Sequence, residues 1–224
     1  MGTPVKEDPR IISFMTLRKA VGWLGMSLAP AMLLINYFFS NCRIVQDSIS
    51  HYYYTISGSA FVGILFAVAF FLFAYNGLDK LDKWSTSLAA FFALCIALFP
   101  TNDNSAGSCA IIHLPDDDLR RMIHYTAAAL FFLLLAFISF FLFTKSKGVK
   151  TKEKQIRNVI YRIAGIVIVL CLILIAFFGL IQNEPDGETT FKPVFWLEWL
   201  ALIAFGVSWL VKGEIVLKDH SLDG

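Results

Sequence analysis

The chain has 224 residues, 57% of them hydrophobic and only 16% charged, with 22 Phe and a formal net charge of +2. A water-soluble domain carries about 25% charged residues, so too little polar surface is present for a soluble monomer. The same figures exclude disorder, collagen and a disulfide-dense secreted scaffold. So small a net charge, with no basic run interleaved with aromatics, gives no footprint for nucleic acid.

Crossing about 30 Å of hydrocarbon takes roughly 20 mostly apolar residues as a helix. Six segments meet this, at about 20–40, 57–76, 84–100, 121–144, 159–182 and 194–211. Their apolar runs are continuous rather than alternating, which argues against a β-barrel. The expected fold is all-α: a polytopic membrane protein with six transmembrane helices in one bundle over 20–211, a cytoplasmic segment 1–19 and a cytoplasmic tail 212–224. The first span is too long for a signal-peptide core and no Ala-x-Ala site follows it. Pro193 suits the first turn of the last span, where its missing N–H costs nothing. Pro30 should kink the first span.

Lys and Arg divide 15 against 4 between the two sets of connecting segments. The richer set should be cytoplasmic, which puts both termini inside and suggests a bacterial inner membrane. Trp23, Trp84 and Trp209 then fall at the inner boundary, and Trp196 and Trp199 at the outer one. Small residues at four-residue spacing allow helices to approach closely in lipid. Such stripes occur at Ser85, Ala89, Ala93 and Ala97, at Ser59, Gly63 and Ala67, and at Gly25 and Ala29.

The outer face collects the candidate chemistry. Glu198 and His124 lie one turn inside their spans, and an ionisable group at that depth is a functional-site hypothesis by default. Pairing of Glu198 with His124 or Arg121 as structural glue is the plain alternative. The leading expectation is an outward-facing pocket in which Glu198, His124, Asp47, Ser50, Tyr53 and Arg121 bind a lipid headgroup or a small polar ligand, with no metal and no cofactor. A zinc-dependent membrane lipid hydrolase is the alternative, with His113, His124 and Asp103 as ligands around a metal-activated water. A homo-oligomeric channel is a third reading, although no span shows a continuous polar face. Membrane lipids, and another copy of the chain, are the expected partners. Cys42 and Cys109, in the first and second outer loops, are expected to form a disulfide in an oxidising compartment.

Several runs carry a resemblance. They are Ser48-Ile49-Ser50-His51-Tyr52-Tyr53-Tyr54-Thr55 with Phe61-Val62-Gly63, Leu98-Phe99-Pro100-Thr101, His124 entering the fourth span, and Phe195-Trp196-Leu197-Glu198 with Phe205-Gly206-Val207-Ser208-Trp209. Together they resemble the signature of an uncharacterised bacterial six-span membrane protein family, itself distantly similar to the damage-regulated autophagy modulator family. The resemblance covers about residues 18–213. It implies six helices and no established activity. His51 departs from the small apolar residue usual at that place in similar sequences, which counts against His51 as a metal ligand. Similarity to the ceramidase and progestin-receptor superfamily is weaker, because seven spans and a close histidine pair are missing.

Overall fold

A computed structural model describes residues 9–40, 43–77, 79–103, 109–146, 151–181 and 192–217. Among the described residues six α-helices follow one another: α1 Pro9–Phe39, α2 Gly58–Ala74, α3 Lys80–Leu98, α4 Asp118–Phe137, α5 Lys152–Ile181 and α6 Pro193–Lys212. No strand occurs among the described residues. Among the described residues five stretches are long and apolar enough to cross a membrane, namely Phe14–Phe39, Lys80–Leu98, Asp118–Leu142, Lys152–Gly179 and Pro193–Lys212. The chain therefore folds as a bundle of helices of the kind found in membranes. The expected second span, 57–76, forms the shorter 17-residue α2. α1 starts at Pro9, well inside the segment read as preceding the bundle, and contains Pro30.

Local sequence sets the helix ends. Asp79 caps α3 by accepting from the Asp82 amide, and Asp117 caps α4 by accepting from Leu119 and Arg120. Each satisfies donors that a helix start leaves without partners. Pro193 occupies the first turn of α6, as its chemistry requires. α4 passes into a π-helical turn, Ile138–Leu142, closed by the Phe143 amide on the Ile138 carbonyl at 2.9 Å. This wider turn sets Ser139 against α6, where its hydroxyl meets that of Ser208 at 2.8 Å with both residues fully buried.

Packing depends on small residues, though not on every expected one. Ser85, Ala89, Ala93 and Ala97 are all buried along α3. The α2 stripe does not behave so: Ser59 and Gly63 are exposed, and a side chain added at Gly63 would meet nothing within 4 Å. The close approach lies instead between α1 and α6. A Cβ on Gly206 would sit 2.0 Å from Met26 Cγ and 2.7 Å from the Gly22 carbonyl, and one on Gly25 would sit 2.6 Å from the Phe205 ring. Trp209, expected in an interfacial belt, is fully buried, whereas Trp84 is 74% exposed. Trp209 packs edge-on against Tyr75 and Phe143.

This contact predicts an asymmetry between two glycines. Gly206→Ala is expected to cost about 1–3 kcal/mol, in the range of overpacked cores, and to lower the thermal midpoint in detergent. Gly63→Ala should leave the midpoint unchanged or raise it slightly, since it restricts the unfolded chain without a clash. A thermal melt of the two variants beside the wild type checks both.

Candidate functional site

Between α1 and α2 the chain makes a short 3-10 turn, Ile49–Tyr54, which plugs one end of the bundle. Tyr52 and Tyr54 are fully buried in it, so these two tyrosines are core. Only glycine can follow at position 58, because a Cβ there would lie 2.1 Å from the Tyr53 carbonyl oxygen.

A 3-10 turn this short cannot satisfy its own backbone, and other elements supply the partners. The Ile49 amide donates to Glu198 Oε2 at 2.6 Å. The Phe195 amide, a free donor in the first turn of α6, donates to the Asp47 carbonyl at 3.1 Å. From α4, His124 Nε2 lies 2.9 Å from Ser50 Oγ, while Nδ1 lies 2.8 Å from the Phe99 carbonyl. That carbonyl accepts from Nδ1–H, so Nε2 accepts from the serine hydroxyl if the imidazole is neutral. The Tyr54 hydroxyl donates to the Thr101 carbonyl, and the Tyr54 carbonyl accepts from Ile111 and Ile112. Thr55 and Ser57 share a hydroxyl contact at 2.8 Å, and Ser57 reaches Asn36 on α1 at 3.4 Å.

Glu198, His124 and Ser50 are thus brought together at the plug, where Glu198 meets the Ile49 amide rather than His124 or Arg121. Each holds the plug. The space below, lined by Ile49, Ser50, Phe61, Ile96, Glu198 and Leu202 among others, is only about 40 Å³, room for about one water. Asp47 sits at the rim, paired with Lys192 at 2.7 Å. Tyr53 is half-buried and edge-on to Tyr54. Arg121 stands apart in a salt bridge to the exposed Asp118 at 2.6 Å.

The alternative metal set divides. His113 pairs with Asp103 at 2.7 Å, while His124 is committed to Phe99 and Ser50. Among the described residues no group of three or more His, Cys, Asp or Glu side chains could hold a metal ion. Cys109 is disulfide-bonded and Cys95 and Cys171 are free thiols. Cys42, the partner expected for Cys109, lies outside the described residues.

Beside the plug, and missed in the sequence, a groove of about 270 Å³ opens between α1 and the segment 43–45. Leu33, Leu34, Ile44 and Val45 give it apolar walls, and Asn36, Tyr37, Arg43 and Tyr52 complete it. The Arg43 guanidinium stands over the Tyr37 ring at 4.8 Å. Asn36 is 3% exposed, and its amide nitrogen has no partner. A lone amide inside an apolar span was the available signal.

His51 is the titratable member of the plug. Burial pushes its imidazole down to about 4, against the opposing pull of Asp47, and Nδ1 lies 2.7 Å from Ser48 Oγ. No family model matches the chain, and no curated protein or solved structure matches it significantly.

Two outcomes follow. Glu198→Gln retains a carbonyl oxygen for the Ile49 amide and should cost well under the roughly 1–3 kcal/mol expected of Glu198→Leu, which orphans that donor; chemical or thermal denaturation in detergent measures the difference. For His51, the folded pKa of about 4 lies below the unfolded value of 6.5. The unfolded chain therefore binds the extra proton between these values, so His51's contribution to stability is full above pH 6.5 and is lost as pH falls towards 4. Thermal midpoints across that window should fall less steeply in His51→Gln than in the wild type.

Proposed function

We propose that the chain is a six-span protein of a bacterial cytoplasmic membrane, with both termini inside, that binds an outer-leaflet phospholipid in the groove beside the plug without catalysing a reaction. The observation that carries this reading is the unpartnered Asn36 amide nitrogen, buried at an apolar groove of about 270 Å³ next to Arg43. Leaving such a donor unsatisfied costs about 1–3 kcal/mol. A glycerol-ester carbonyl supplies its acceptor, the lipid phosphate lies on Arg43, and an acyl chain runs along Leu33, Leu34 and Ile44. Glu198, His124, Ser50 and Asp47 serve as positioning residues, because they hold the plug whose Tyr52 forms one wall.

The sixth span is α2. Its 17 residues extend about 25 Å at 1.5 Å per residue, enough for an upright helix with its flanking residues. α1 ends at the plug and α3 begins at the opposite end of the bundle, so the chain between them has to traverse it. Orientation rests on the 15-to-4 division of basic residues. The resemblance to the six-span family supports the same architecture.

Native mass spectrometry of detergent-purified protein tests the reading. The wild type is expected to retain phospholipid. Arg43→Gln and the groove-filling Leu33→Trp should lower retention at least fivefold, while Glu198→Gln leaves it within twofold. Equal retention by all four proteins, or none by the wild type, would overturn the groove. Near-stoichiometric zinc in the preparation would overturn the non-enzymatic reading in favour of a zinc-dependent lipid hydrolase.

A further inference from the structure

The groove beside the plug has a one-sided chemistry, because the polar groups on its walls have protons to give. Asn36 Nδ2 is buried without a partner, while Oδ1 of the same amide already accepts from the Ser57 hydroxyl at 3.4 Å. The Tyr52 oxygen accepts from the Gln46 amide at 3.4 Å, which leaves the phenolic proton to donate. Arg43 is exposed at the mouth, with its guanidinium over the Tyr37 ring at 4.8 Å. A guanidinium offers donors only and stays charged at any working pH, and a ring face steadies it while its N–H groups remain for an oxyanion.

Negative charge is missing from the same walls. Among the described residues no aspartate or glutamate lines the groove. Asp47, the carboxylate nearest to Arg43 in sequence, is paired with Lys192 at 2.7 Å. Gln46 has an idle acceptor, Oε1, but the residue is 2% exposed and stands behind the wall rather than on it, with its Nε2 donating to the Ile44 carbonyl at 3.3 Å. A ligand ammonium would therefore find no carboxylate in the groove and would face Arg43. Like charges repel more strongly beside apolar walls than in open water.

We propose that the groove selects phospholipids of net negative charge over zwitterionic ones, and that Arg43 is the residue that discriminates. An anionic headgroup such as phosphatidylglycerol brings a phosphate for Arg43 through charge-assisted hydrogen bonds, together with ester acceptors for Asn36 and Tyr52, and carries no cation. Phosphatidylcholine and phosphatidylethanolamine bring the same phosphate and esters, but each adds a positive charge that this groove does not answer. Apolar walls at Leu33, Leu34 and Ile44 favour a lipid over a free anion. The inference rests on the reading of the groove as a phospholipid site and adds which class of phospholipid it takes.

The test gives the full-length protein, in a neutral detergent, equal amounts of phosphatidylglycerol and phosphatidylcholine with the same acyl chains, and reads retention by native mass spectrometry. Lipid bound elsewhere on the bundle is removed by subtracting what the groove-filling variants Leu33→Trp and Leu34→Trp retain. The groove-dependent remainder is expected to favour phosphatidylglycerol at least fivefold, and phosphatidylethanolamine in place of phosphatidylcholine should give the same order. Arg43→Gln should bring the two lipids to within twofold of each other, whereas Arg43→Lys, which keeps the charge, should keep most of the preference. Arg43 is exposed, so both variants keep the fold, and a thermal midpoint matching the wild type checks this. Equal groove-dependent retention of the two lipids would overturn this inference and leave an unselective phospholipid groove. A preference for either zwitterionic lipid, or an anionic preference that survives Arg43→Gln, would overturn it as well. No groove-dependent retention of any of the three lipids would overturn both the inference and the reading on which it rests.

Discussion

The bond from the Ile49 amide to Glu198 is the contact on which one whole end of the molecule depends. In a helical bundle every helix satisfies its own backbone, but a 3-10 turn inserted among the helix ends does not. The Ile49–Tyr54 turn is held because α6 offers a carboxylate, α4 an imidazole, and the segment after α3 a carbonyl. Three elements are thereby fixed to one six-residue insertion. Removing the carboxylate would strand that amide.

This arrangement explains how much was legible beforehand. Hydropathy alone located the helices, because membrane spans are defined by length and apolarity. Pro193 and the alanine stripe of α3 followed from local rules. Partners were a different matter. Periodicity places Glu198 and His124 on inward faces but says nothing of what they meet, and the partner of Glu198 turned out to be a backbone amide, which carries no sequence signal. Tyrosine is enriched at membrane interfaces, yet Tyr52 and Tyr54 are fully buried. Gly63 and Gly206 both sit in apolar spans, and only their neighbours in space distinguish an open glycine from one pressed against another helix.

The two ends of the bundle differ in how polar groups are handled. At the plug, most polar groups answer another, and among the described residues the idle side-chain amide atoms beside it are Asn36 Nδ2 and Gln46 Oε1. At the opposite end, cations lean on aromatic rings and helix-end carbonyls: Arg18 stands over Phe14 and donates to the Lys212 carbonyl, and the Lys212 ammonium faces Phe143. Fold and proposed function meet at the plug, because the residues that read as a ligand site hold the turn whose Tyr52 lines the groove.

Hydrogen exchange at the Ile49 amide, followed in detergent or nanodiscs, tests the central claim most directly. If Glu198 holds the plug, this amide exchanges as slowly as the amides of the α6 interior, and Glu198→Leu brings it to the rate of the neighbouring 43–46 segment. Exchange of Ile49 at the rate of that segment in the wild type would contradict the account, since the turn would then be an ordinary loop lying on the bundle rather than a part of it.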